Sequence, residues 1–75
     1  MPLSQQLASL LREEIESGQR PPGSRIPPIV QLAERYEIAT ATVVKALSIL
    51  KREGLVIGST GHGTFVAERL PPRRA

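Results

Sequence analysis

The sequence predicts a mainly α-helical domain that ends in a small antiparallel β-hairpin. Three segments carry apolar side chains at helical spacing, and two short segments rich in β-branched and aromatic residues follow the last of them. A chain of 75 residues has room for one domain, and a hydrophobic content of 40% is enough for a single core. We therefore expect three helices and a two- to three-stranded hairpin around one core.

The first predicted helix covers residues 4–17. Its apolar side chains lie along one stripe: Leu7, Leu10, Leu11 and Ile15. Ser4 is a suitable N-cap, because its hydroxyl can accept a hydrogen bond from a backbone N–H of the first turn. Gly18 is suited to end the helix, since glycine adopts the left-handed conformation without strain.

A turn rich in proline and glycine separates the first helix from the second, at residues 19–24. We expect a brief strand at Arg25 and Ile26, because Pro27 disfavours helical backbone in the residue before it. Pro28 suits the first turn of the second helix, where its missing N–H costs nothing. The apolar face of that helix is formed by Ile29, Leu32, Ala33 and Tyr36.

A tight turn joins the second helix to the third. Glu37 interrupts the apolar pattern, and Ile38 is expected to fill the turn with an apolar side chain. The third helix is predicted from about Thr40 to Glu53, and Gly54 ends it. Its core stripe repeats at helical spacing: Val43, Ala46, Leu47 and Leu50.

The hairpin is predicted from two β-prone segments, Leu55–Ile57 and Thr64–Val66. The loop between them, residues 58–63, contains three glycines and small polar residues. The order helix, short strand, helix, turn, helix and hairpin is that of a winged helix-turn-helix. We place this domain at residues 1–67 and expect residues 68–75 to form a basic tail or linker rich in proline and arginine.

Composition excludes several classes of function. The chain has no cysteine and a single histidine, His62, so neither a disulfide framework nor a metal site is expected, and no cofactor is implied. No nucleophile, base and orienting group come together in the sequence, so we do not expect an enzyme. There is no apolar run of membrane-spanning length and no signal peptide, which favours a cytoplasmic, nucleoid-associated protein and no membrane partner.

The charge balance favours an anionic partner only weakly. The formal net charge is +3, and arginines near the C-terminus account for much of it: Arg69, Arg73 and Arg74. They are suited either to remain solvated or to contact phosphates. The pattern of the third helix is therefore the stronger indication of function.

The third helix is the expected recognition helix for double-stranded DNA, because the major groove admits one α-helix. With its core stripe assigned, the residues left to face outward near its start are Thr40, Ala41, Thr42, Val44 and Lys45. Hydroxyl groups can bond to base edges, small apolar groups can touch a thymine methyl, and Lys45 can reach a phosphate or a guanine. The hairpin tip is thin and can approach the backbone or the minor groove with Thr60 and His62.

Each of these features has a plainer structural explanation. Thr40 and Thr42 can be no more than helix-capping and first-turn residues, and the loop glycines can serve only hairpin geometry. The Lys51–Arg52 pair can merely complement the helix dipole. A different functional alternative is a protein-interaction module that binds its partner through an apolar patch, formed by Val30, Val44 and Ile49.

The motifs, taken together, resemble the DNA-binding domain of GntR-family bacterial transcription repressors. The likeness runs from about Ser4 to Ala67. It rests on the order and spacing of residues 21–27 (PPGSRIP), 32–36 (LAERY), 42–43 (TV), 46–47 (AL), Leu50, 52–56 (REGLV) and 61–66 (GHGTFV). The resemblance implies operator binding and repression.

The resemblance also implies where DNA would be contacted: at the starts of the second and third helices and at the wing tip. By position, these residues are Val30, Thr40, Thr42, Val44 and Lys45, with Thr60, Gly61 and His62 on the wing. The chain departs from the family in lacking the usual arginines at three of these positions: Val30, Thr40 and Val44. It also has Ala39 and Pro28 where the family usually has a helix-capping hydroxyl residue.

The missing arginines favour weaker binding or recognition of A·T-rich sites and DNA shape, since an arginine bidentate to guanine supplies about 1–3 kcal/mol of discrimination. In this respect the chain is similar to a branch of plasmid-transfer repressors. Family members normally add a C-terminal domain that binds an effector and dimerises, whereas we expect no effector domain in this chain, which is either an excised module or a natural short form. A natural short form would bind either as a homodimer on an inverted-repeat site or weakly as a monomer.

Overall fold

The computed structural model describes residues 2–59 and 63–70. The helices are α1 (Leu3–Glu16), α2 (Ile29–Tyr36) and α3 (Thr40–Arg52), followed by the strands β1 (Val56–Ser59) and β2 (Gly63–Val66). This order confirms the predicted fold of three helices and an antiparallel hairpin. No helix in the described part of the chain is both long and apolar enough to span a bilayer.

A single hydrophobic core joins all of these elements. It takes the buried side of each helix, the Ile26 side chain from the segment before α2, and the inner face of the hairpin. The largest fully buried side chains are Leu11, Ile15, Ile26, Leu32, Val43, Leu50, Val56 and Val66. Leu70, beyond the hairpin, packs partly against the same core.

Two expectations for α1 are wrong. Ser4 does not cap the helix, because α1 already begins at Leu3, with Pro2 at the N-cap and no side-chain cap. Leu10 is not a core residue: it is 43% exposed and lines a shallow apolar groove with Leu3 and Tyr36. Helical spacing identified the apolar stripe, but α3 covers only part of it. Gly18 does adopt the left-handed conformation, with φ of 88°.

The turn between α2 and α3 ends α2 tightly. Glu37 has a left-handed backbone with φ of 54°, and the N–H of Ile38 donates to the Ala33 carbonyl at 3.0 Å. This bond satisfies one of the carbonyls that a helix end leaves free. Ile38 packs partly against the core, as predicted. The turn sets the angle at which α3 leaves α2.

The hairpin, which we call the wing (residues 55–66), pairs Val56 with Val66 and Ile57 with Phe65. The predicted brief strand is reduced to a single bridge between Arg25 and Phe65. Two hydrogen bonds of 2.8 Å flank this bridge: the Ile26 N–H donates to the Thr64 carbonyl, and the Val66 N–H donates to the Ser24 carbonyl. The segment before α2 is thereby hydrogen-bonded to the edge of β2 that does not pair with β1.

Candidate nucleic-acid interface

The first two turns of α3 present an uncovered face. The core stripe of α3 is buried as predicted, and on the opposite side Thr40, Ala41 and Lys45 are exposed. Val44 is 46% exposed, whereas Thr42 is half-buried. The helix contains no acidic residue. The outward-facing residues therefore offer a phosphate or base edge no like charge to repel it.

The start of α3 is not capped by a side chain. Ala39 is the N-cap residue, in an extended conformation, and no side chain accepts a hydrogen bond from the free N–H groups there. Thr40 is the first helical residue and not the N-cap, so only the first-turn part of the plainer explanation fits it. Its hydroxyl forms no side-chain hydrogen bond in the described part of the chain.

The start of α2 is also exposed. Val30 is 60% exposed, and Pro28 is the N-cap. In the apolar-patch alternative, Ile49 was expected to be exposed beside Val30 and Val44. That expectation is wrong, because Ile49 is half-buried against the core. The patch loses its third member.

The wing contributes two glycines near the loop end of its paired strands. Gly63 has φ of 100°, which side-chain-bearing residues rarely adopt. Gly58, in β1, lies so close to the Lys51 ammonium that an added Cβ would stand 2.7 Å from it. The predicted wing contacts Thr60, Gly61 and His62 lie outside the described residues.

The cations divide into two groups by their partners. Arg12 forms a bidentate ion pair with Glu53, and Arg20 pairs with Glu14, each at 2.7 Å. The hydrogen bond to Glu53 is the main cause that raises the pKa of Arg12 above its ordinary value. The other described cations have no ion pair within residues 2–59 and 63–70: Arg25, Arg35, Lys45, Lys51, Arg52 and Arg69. Of these, Lys45 and Lys51 lie in α3, and Arg25 lies in the segment that is bridged to β2.

Sequence reasoning missed two of these cations as candidates. Lys51 was interpreted only as a complement to the helix dipole, and Arg25 only as part of a short strand. The available signal for Arg25 was its place next to buried Ile26, because alternation along an extended segment turns the neighbour outward.

Taken together, the fold and this uncovered helix face define a winged helix-turn-helix domain. The chain belongs to the GntR family: the model of that family, described as bacterial regulatory proteins, gntR family, matches residues 3–66.

Curated relatives agree with this assignment. The chain is 40% identical over 73 residues to an HTH-type transcriptional regulator of Streptomyces coelicolor, which covers 97% of this chain and 27% of the relative. It is 35% identical over 68 residues to the HTH-type transcriptional repressor NagR of Bacillus subtilis, covering 91% of this chain and 28% of NagR. The chain thus spans little more than a quarter of these relatives. They are regulators rather than enzymes, as expected.

Solved structures share the fold. The DNA-binding domain of AraR, in complex with operator ORX1, is 30% identical with a TM-score of 0.86, covering 89% of this chain and 81% of that one. A GntR family transcriptional regulator from Listeria monocytogenes has a TM-score of 0.88 over 92% of this chain and 60% of that one. Its identity of 22% supports the fold alone.

Proposed function

We propose that this chain is the DNA-binding part of a transcription regulator and acts as a repressor by binding double-stranded DNA sequence-specifically. α3 reads the major groove, and the wing contacts the minor groove or the backbone. The single observation that carries the proposal is the uncovered, acid-free face at the start of α3. The AraR complex with its operator and the repressor NagR add support from relatives.

The proposed contacts fall on three parts of the fold. They are Val30 in α2; Thr40, Ala41, Thr42, Val44 and Lys45 in α3; and Thr60, Gly61 and His62 in the wing. Among the proposed contacts in α2 and α3, Lys45 is the only cation, so it supplies the directed electrostatic contact of that surface. We further propose that two copies bind an inverted repeat, since a single module offers few contacts and a two-fold symmetric pair doubles them.

Selection from a random duplex library, followed by fluorescence anisotropy, tests this function. The selected duplex should bind tighter than a scrambled one, with an affinity that falls steeply as salt rises. Lys45→Ala should lose about 1–3 kcal/mol if it reads a guanine, or lower the salt slope by about 1 if it binds a phosphate.

Arg35→Gln is the charge-matched control, because the Arg35 guanidinium lies over the Tyr36 ring at 5.9 Å, toward the other end of α2 from Val30. It should retain the wild-type affinity. Equal binding of selected and scrambled duplexes, or binding that does not change with salt, would rule the function out. Measuring stoichiometry on duplexes with one and two half-sites separates monomer from dimer binding.

A further inference from the structure

Two cations lie against opposite faces of the wing near the loop end of its strands, and neither belongs to the surface proposed above for α3. We propose that Arg25 and Lys51 bind the DNA phosphates on the two sides of the groove that the wing enters, one residue on each side. This inference rests on the proposed function and deepens it. It adds two backbone contacts that are independent of base sequence.

Arg25 lies on the outer face of the wing. Its backbone is held by the two 2.8 Å hydrogen bonds that flank the bridge to Phe65. Bridged residues share a face, and so do residues two apart on a strand, which puts Arg25, Phe65 and Gly63 on one face. A Cβ on Gly63 would stand 3.3 Å from Arg25 Nε, so the guanidinium lies along that strand.

Lys51 approaches the wing from its other face. Val56 and Val66 are 2% and 0% exposed and form the inner face, on which α3 packs. Gly58 is two residues from Val56 and so shares this face. The Lys51 side chain extends from the last turn of α3 over Gly58, with Cε 3.0 Å and Nζ 2.7 Å from where a Cβ would stand.

Both cations are free to take an anion. Neither forms a side-chain hydrogen bond or an ion pair in the described segments, and both residues are exposed. The nearby carboxylate of Glu68 lies beside Gly23 and pairs with neither. A guanidinium or an ammonium with no ion pair is available to donate charge-assisted hydrogen bonds to an anion, and phosphate is that anion in DNA.

The shape of the wing explains why one cation lies on each face. The minor groove is only about 6 Å wide and has a phosphate backbone along each wall. A two-stranded ribbon that enters it therefore turns one face toward each backbone. Glycine at positions 58 and 63 keeps the ribbon thin, so the two cations can lie flat against it and reach opposite walls.

Anisotropy titrations across a range of salt concentrations test the inference on the whole chain. The variants are Arg25→Gln, Lys51→Gln and their double mutant, measured on the selected duplex and on a scrambled one. Each single variant should lower the salt slope by about 0.9 and weaken binding by about tenfold in dilute salt, equally on both duplexes. The double variant should lose about 1.8 in slope, because the sites lie on separate faces.

Matched variants separate phosphate binding from a structural role or from a general loss of charge. Arg35→Gln removes the same charge elsewhere and should keep the slope, while Arg25→Lys and Lys51→Arg should restore it. Circular dichroism melting reports whether each variant is folded. Three outcomes overturn the inference but leave the proposed function standing. In the first, the variants show the same salt slope as Arg35→Gln; in the second, only one of the two residues changes the slope; in the third, the loss of affinity is confined to the selected duplex. A wild-type chain that binds no duplex overturns both.

Discussion

At the scale of single residues, Glu37 stores strain in the turn that orients α3. It is the non-glycine residue with positive φ in the described part of the chain. A side chain in this left-handed conformation costs about 1–2 kcal/mol, because the Cβ comes close to the following carbonyl oxygen. The sequence indicated a break at this position but not its handedness. A sequence pattern shows where the apolar periodicity of a helix ends. It does not show which backbone conformation ends the helix, because several conformations can do so.

Replacing Glu37 with glycine should therefore stabilise the domain. We expect Glu37→Gly to raise the free energy of unfolding by about 1 kcal/mol, measured by urea denaturation. Glu34→Gly is the control, since that residue lies within α2 and should lose about 1 kcal/mol. If both variants are destabilised alike, the left-handed turn is not the source of strain.

At the scale of elements, α3 begins without a capping side chain. Ala39 has φ of −67° and ψ of 147°, the extended backbone that N-cap residues adopt, but its methyl group accepts no hydrogen bond. Ala39→Ser should add about 1 kcal/mol to the free energy of unfolding.

The same urea titration measures this gain. Ala41→Ser is the comparison, because residue 41 is already inside the helix and serine there should be neutral or slightly unfavourable. If Ala39→Ser is no more stable than wild type, solvent already satisfies the free backbone N–H groups at the start of α3.

How far the sequence predicts each element depends on the range of the contacts involved. Helix bounds fell within one or two residues because apolar periodicity and glycine stops are local signals. Leu10 and Ile49 were placed wrongly because periodicity identifies a face but not how much of that face a neighbouring element covers. Arg25 and Lys51 were missed because their positions depend on contacts with the wing glycines, which no local pattern encodes.

At the scale of the whole molecule, one ion pair ties α1 to the end of α3. Arg12 Nε and Nη2 donate to the two carboxylate oxygens of Glu53, residues 41 positions apart. Both side chains are partly exposed, at 30% and 39%, so solvent screens the pair. Because the pKa of Arg12 is raised on folding, its contribution is fully present below the unfolded-state pKa and is lost only when the pH rises through the folded-state value, well above neutrality.

Arg12→Gln should lower the free energy of unfolding by about 0.5–1 kcal/mol. The loss should shrink in high salt, where the pair is screened. A double-mutant cycle with Glu53→Gln isolates the coupling, and Arg52→Gln, a neighbouring cation without an ion pair in the described structure, should have little effect. A zero coupling energy at low salt would mean that the pair adds nothing to the contact between the helices.

The attachment of β2 to the segment around Arg25 has a consequence for how the domain assembles. The helices form through contacts between near neighbours, whereas this attachment joins the two halves of the chain and needs a large loop to close first. The wing therefore completes late in folding, after the helical scaffold exists. Under the proposed function, a chain in which only the helices have formed lacks the contacts that the wing makes with DNA.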